Sequence, residues 1–330
     1  MVVAGKRQQH SGRFPREPAR KAFGAHVAGS GRTTFLAILL IFGVPALAPE
    51  ALASPYSIEV AAAGQSVVLY AEETGEGPPL LLLHGLGAST FTWRHVVPAL
   101  ARDHRVIALD LKGFGRSDKP LDYRYSAADQ AELVAAFIAE RGLTGVTLIG
   151  HSFGGTVALL TALRFAQQPG RIHRLVVIDA PALEQDFPGA AELVRAPAIP
   201  YVAMTLSPPE VLARVMLRIV RAPGRAVPEA DIRGYAAPYY TRGSRHAFMA
   251  TVQAILDGNT PRMGARYRYV TQPTLVVWCR RDRIVPLATG RRLVRILPNA
   301  QLATLGRCNH LPQDEVPGAL LAKLRPFLRA

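Results

Sequence analysis

Gly150-His151-Ser152-Phe153-Gly154 follows the apolar run Val146–Gly150 and opens a helical pattern over Ser152–Gln167. A G-x-S-x-G turn between a strand and a helix has a defined physical effect. It forces the serine into a strained backbone conformation, which small neighbours must permit, and lifts the hydroxyl out at the strand's carboxyl end. Gly150 and Gly154 provide that room. The Phe153 N–H then sits at a helix N-terminus, where negative charge is favoured. A lone serine is a weak nucleophile and needs a base, which in turn needs an orienting acid. Asp282 lies in the turn Cys279-Arg280-Arg281-Asp282-Arg283-Ile284-Val285-Pro286, after the apolar run Thr274–Trp278. His310 lies in Asn309-His310-Leu311-Pro312, after Gln301–Leu305. A second amide donor is expected from Leu86 in His84-Gly85-Leu86-Gly87, after Leu80–Leu83. The expected chemistry is attack by Ser152 on an ester-like carbonyl. His310 takes the proton, Asp282 orients His310, and the Leu86 and Phe153 N–H groups hold the oxyanion. His84 and His151 flank this constellation and are expected to support loop hydrogen bonds, because the base position is already filled.

These residues need a scaffold that brings distant turns together. Short apolar runs alternate with helical patterns from residue 57 onward. An opening hairpin is expected over Ile58–Ala62 and Val67–Tyr70, and strands over Leu80–Leu83, Arg105–Leu109, Val146–Gly150, Leu175–Ile178, Leu275–Trp278 and Gln301–Leu305. Helices are expected over Phe91–Ala101 (interrupted by Pro98), Ala127–Arg141, Ser152–Gln167, Ala288–Leu297 and Val316–Arg329. Continuous apolar strands between helices imply an α/β protein with a mostly parallel sheet covered on both faces. Residues 183–270 break the alternation. They are helical and punctuated by proline, and read as a cap inserted between core segments 54–182 and 271–330.

Residues 1–53 form a basic arm followed by the apolar stretch Phe35–Ala48 and the small-x-small site Ala51-Leu52-Ala53. That order predicts an export signal cleaved after Ala53, or an anchor over residues 35–53 that keeps the chain at a membrane. The apolar stretch is short for a spanning helix.

Composition narrows the classes. The chain has 330 residues, 49% of them apolar and 19% charged, enough for a full core and too few charges for a disordered chain. The formal charge of +15 is uneven: +5 lies in residues 1–53, −1 in 54–180, +4 in 181–270 and +7 in 271–330. No run of five or six consecutive basic residues and no nucleic-acid-binding motif accompanies it, so a nucleic-acid partner is not expected. A basic body does favour loose contact with anionic lipid or acidic solutes. No clustered metal-ligand set appears, and Gly113-x-Gly115 lacks the rest of a dinucleotide fingerprint, so neither metal nor cofactor is expected.

Five motifs in order now carry a resemblance: HGLGAS at 84–89, DLKGFGRSD at 110–118, GHSFGG at 150–155, RRDRIVP at 280–286 and NHLPQDEVP at 309–317. From about residue 57 to its end the chain resembles the α/β-hydrolase superfamily. The similar branch contains carboxylesterases, meta-cleavage-product hydrolases, cofactor-free haloperoxidases, epoxide hydrolases and haloalkane dehalogenases. The last two use an aspartate nucleophile, and Ser152 argues against both. The resemblance implies about eight strands, a helical cap after the sixth strand, and the chain order Ser, Asp, His. It implies an esterase acting on a small, largely apolar substrate. A carbon–carbon bond hydrolase of the meta-cleavage-product type and a non-catalytic ligand-binding module are the alternatives. Some family members place the acid after an earlier strand, which makes Asp179 the rival to Asp282; Asp110 and Asp118 read as structural. Asn309 and Cys279 stand where the family often has glycine. Cys279 and Cys308 lie in the two turns that must meet. They form either a disulfide tying the acid loop to the base loop, which suits an oxidising setting, or two reduced buried thiols.

Overall fold

The computed structural model describes residues 53–183, 204–257 and 264–329. The expected arm, apolar stretch and most of the cleavage site lie outside these residues. So do parts of the cap, including Tyr201.

Eight strands form one sheet: β1 (Ser54–Ala62), β2 (Gln65–Thr74), β3 (Pro79–Leu83), β4 (Arg105–Leu109), β5 (Val146–His151), β6 (Ile172–Ile178), β7 (Thr274–Cys279) and β8 (Ala300–Leu305). Their spatial order is β1-β2-β4-β3-β5-β6-β7-β8. β1, β2 and β4 pair antiparallel in sequence, and every later pairing is parallel. The opening hairpin is longer than its apolar alternation suggested. It runs across the whole of β1 and β2 and turns at Ala63 and Gly64, both at positive φ, as a two-residue hairpin requires.

Successive side chains on a strand point to opposite faces. Leu81 and Leu83 therefore join one core layer with α2 (Ala127–Glu140), α3 (Phe153–Arg164) and α7 (Leu287–Ile296). Leu80 and Leu82 join the other, with Trp93, Leu100, Leu320 and Leu324. α2 starts at a capping box in which Ser126 and Asp129 satisfy each other's backbone N–H groups.

One expected helix is divided ahead of the proline at which its interruption was expected. Phe91–Ala101 is a 3-10 turn, Thr90–Trp93, started by Ser89, and a short α1 (Val97–Leu100) with Pro98 in its first turn, where its missing N–H costs nothing. A separate short helix, α8 (Pro312–Glu315), precedes the expected C-terminal helix, α9 (Pro317–Arg329), set off by Val316 in a non-helical conformation that Pro317 enforces. Between β6 and β7 the described cap helices are α4 (Pro209–Val220), α5 (Glu229–Ala236) and α6 (Ser244–Leu256). No helix among the described residues is long and apolar enough to cross a membrane.

Candidate active site

The β5–α3 turn gives Ser152 φ 53° and ψ −124°, a strained conformation for a residue with a side chain. The glycines around it are a steric requirement. A Cβ on Gly150 would lie 2.3 Å from the Gly154 carbonyl oxygen, and one on Gly154 would lie 2.3 Å from that of Leu83. The turn after β3 also comes close: a Cβ on Gly85 would lie 3.1 Å from Ser152 Cβ. Leu86 and Ser152 consequently line one cavity, while Phe153 opens α3 beside them.

The three residues expected to act together do meet. Ser152 Oγ lies 2.9 Å from His310 Nε2, and His310 Nδ1 lies 2.8 Å from Asp282 Oδ2. The carboxylate can only accept, so Nδ1 carries the proton and Nε2 faces the hydroxyl as an acceptor. Asp282 Oδ1 accepts the N–H groups of Ile284 and Val285 at 2.7 and 2.9 Å, which fixes the carboxylate plane. The Asp282 side chain is fully buried.

Asp179, the rival acid, stands at φ 46° after β6 and is fully buried. Its Oδ1 accepts the Cys279 N–H at 2.9 Å. Burial, and then the charge of Asp282, push its carboxyl well above the usual range. It is Asp282 that reaches His310. Cys279 and Cys308 are joined by a disulfide, with their Cα atoms 5.6 Å apart.

The flanking histidines hold loops. His84 Nδ1–H donates to the Gly85 carbonyl at 2.8 Å, and Nε2 accepts the Leu111 N–H at 3.0 Å. His151 Nε2–H donates to the His310 carbonyl at 2.6 Å. Burial pushes His84 down to about 4 and, aided by the neighbouring His310, His151 down to about 3. Both are neutral imidazoles at pH 7. Asp110 is structural as expected: its carboxylate accepts the N–H groups of Thr90 and Arg116, and burial lifts it to about 6.

Several residues that hold the site escaped the sequence reading. Asn309 Oδ1 accepts the Arg283 N–H at 2.8 Å, and Nδ2 lies within 3.0–3.3 Å of the carbonyls of Ile219, Val220 and Arg221. Those carbonyls end α4 and have no helical partner of their own. Glu315 takes the N–H groups of Asn309, Leu311 and Ala222. A second tie runs through Arg94, which pairs with Asp231 of α5 at 2.6 Å and Asp314 of α8 at 2.8 Å; Tyr235 donates to the same Asp314. The only signal in the sequence was Asn309 standing where the family often has glycine.

A cavity of about 160 Å³ opens onto Ser152 and His310. Met204, Leu212, Met216, Leu217, Val220 and Phe248 give its wall apolar side chains, and Tyr235 and Tyr239 contribute rings.

Comparison with known proteins places the fold in a family. A family model described as the alpha/beta hydrolase fold matches residues 78–317. The 2-hydroxy-6-oxo-2,4-heptadienoate hydrolase of Pseudomonas putida is 30% identical over 266 residues, covering 78% of this chain and 91% of that protein. The solved structure of a membrane phospholipase A, a bacterial virulence factor, is 26% identical with a TM-score of 0.68, covering 84% of this chain and 86% of that one. A thermophilic esterase from Thermogutta terrifontis shares the fold at 23% identity and TM-score 0.69, covering 83% and 98%. A serine turn after the fifth strand, a sheet that is parallel from its third strand on and a match spanning most of the chain lead to one assignment: the protein belongs to the α/β-hydrolase family.

Proposed function

We propose that this protein is a serine hydrolase cleaving an ester bond of a small, largely apolar substrate through an acyl-enzyme on Ser152. The observation that carries this reading is the hydrogen-bonded line from Ser152 through His310 to Asp282, opening on an apolar cavity. Ser152 attacks the carbonyl carbon while His310 Nε2 takes its proton, and Asp282 stabilises the imidazolium that forms. The Leu86 and Phe153 N–H groups receive the oxyanion, each worth about 2.7–4 kcal/mol in comparable sites. The imidazolium returns its proton to the leaving alcohol. Water then enters and attacks the acyl carbon while giving a proton to His310, which passes it to Ser152 Oγ as the acid leaves.

The P. putida relative supports a second reading, carbon–carbon bond hydrolysis. A dienoate carries a carboxylate, however, and no lysine or arginine lines the cavity among the described residues. The disulfide supports an exported setting.

Ser152→Ala is expected to abolish fluorophosphonate labelling and to lower hydrolysis of a short p-nitrophenyl ester about 10⁴- to 10⁶-fold. Labelling that survives the substitution overturns the assignment. Faster turnover of a dienoate than of any ester in a chain-length panel selects the second reading.

A further inference from the structure

Of the ten large apolar side chains exposed among the described residues, five fall in one stretch of the cap: Leu206, Val211, Val215, Met216 and Ile219. Four are on α4, whose two faces differ. Pro209, Ala213 and Leu217 are buried. Val211, Val215 and Ile219, spaced four residues apart, form an outward stripe with exposures of 47%, 50% and 53%. Such a stripe contributes nothing to the core, and apolar patches of this kind mark contact sites. Its two edges carry the argument. On one side Leu212 and Met216 continue the apolar surface into the wall of the cavity. On the other, three residues after Val211 and Val215, stand Arg214 and Arg218.

We propose that this face of α4 docks on an anionic lipid surface. Val211, Val215 and Ile219 enter the boundary between headgroups and acyl chains, and Arg214 and Arg218 pair with lipid phosphates. Charge complementarity selects lipid over other occupants. The described residues 204–257 hold 7 basic against 4 acidic residues, a balance that also favours an anionic partner. A second copy meeting this face about a two-fold axis would set like arginines against each other. Arg214 already pairs with Glu229 at 2.7 Å, but both side chains are exposed, and such a pair yields readily to a headgroup phosphate. Glu210 on the first turn is engaged by Tyr240. The proposal extends the hydrolase reading, because Met216 joins the docking stripe to the cavity above Ser152. An ester dissolved in the lipid surface then finds apolar contact along its whole path.

The test places a reporter on the stripe of the full chain. Trp93 and Trp278 are buried, at 1% and 0% exposure, and lie beyond the reach of lipid quenchers. Val215→Trp adds an indole at the docking face. On vesicles of phosphatidylcholine mixed with phosphatidylglycerol, its emission is expected to shift to the blue and to be quenched by brominated acyl chains. On phosphatidylcholine alone both effects should be weak. Adding Arg214→Gln and Arg218→Gln should weaken the anionic-vesicle response roughly tenfold. Three outcomes overturn the proposal: no quenching; vesicle binding without a change in emission, which places attachment elsewhere in the chain; or a blue shift that follows protein concentration without lipid, which makes a second copy the occupant. Fluorophosphonate labelling on the same samples reports the hydrolase reading separately. Its loss with quenching intact removes that reading and leaves the docking face standing.

Discussion

Around Ser152 the contacts are main chain against main chain. Added Cβ atoms at Gly150 and Gly154 would meet carbonyl oxygens at 2.3 Å, and the Ser152 N–H is held by the Ile178 carbonyl of the adjacent strand at 2.8 Å. Around His310 the supports are side chains drawn from distant parts of the chain. Asp282 holds the ring, Asn309 binds both the acid loop and the end of α4, and Glu315 gathers three N–H groups. Arg94 then ties the cap to α8. One half of the site is therefore set by local backbone sterics and the other by a polar network that spans the fold. The two halves should fail in different ways. A steric error disrupts the central strand under the nucleophile, whereas a network error loosens the cap and the base together.

The largest effect on stability is expected in the network. Arg94 is only 19% exposed at its side chain, and the Asp314 side chain is fully buried. Arg94→Met leaves that carboxyl without its cation and should cost about 3–5 kcal/mol in urea unfolding. The exposed pair Arg164–Glu132 is the internal control, and Arg164→Met should cost no more than about 1 kcal/mol. Equal losses at the two sites would mean that Arg94 is a surface contact and not a tie. On the steric side, Gly154→Ala drives a methyl into the Leu83 carbonyl and cannot be absorbed by a flexible side chain. A loss of about 3 kcal/mol is expected, with fluorophosphonate labelling falling in parallel. A variant that melts like the parent while still labelling would show that the elbow can relax.

This division also explains what was legible in the sequence. Ser152, its glycines, the eight strands and the cap after β6 follow from local pattern, because strain, periodicity and turn chemistry act over a few residues. His310 and Asp282 were legible through their positions after successive strands. Asn309, Glu315, Arg94 and Asp231 were not. Their partners lie from 4 to 220 residues away, and most are chosen by the assembled fold. The divided helix at Thr90–Leu100 was misread for a related reason: apolar spacing matched a helix, but Ser89 and Pro98 each start a separate turn.

A smaller effect is expected from protonation under the elbow. His84 is held as a neutral imidazole between an acceptor and a donor, and burial pushes it down to about 4 from 6.5. The unfolded chain binds that proton first, so its contribution is complete above pH 6.5 and is lost as pH falls toward 4. Over that window the total approaches about 3 kcal/mol, with a slope of about 1.4 kcal/mol per pH unit. Asp110, lifted to about 6, acts in the opposite sense but is common to parent and variant, and cancels in their difference. His84→Gln should therefore show a shallower decline of unfolding free energy between about pH 6.5 and pH 4. Parallel curves would mean that His84 takes up its proton in the fold as readily as in the open chain.

The smallest effect separates the two halves most directly. Asn309→Gly restores the residue that the family often carries, but here it removes the acceptor for Arg283 N–H and the donor to three carbonyls at the end of α4. Leaving such groups unpaired costs about 1–3 kcal/mol. A share of that loss should appear as misplacement of His310, lowering kcat roughly tenfold with KM less affected. Asn309→Asp keeps an acceptor for Arg283 and loses only the donors to α4. If it also lowers kcat, the cap helix helps to position the base; if it leaves kcat intact while Asn309→Gly does not, the acid loop alone does so. Should both variants turn over like the parent, His310 is held by its own main chain, as Ser152 is, and the contrast between the two halves disappears.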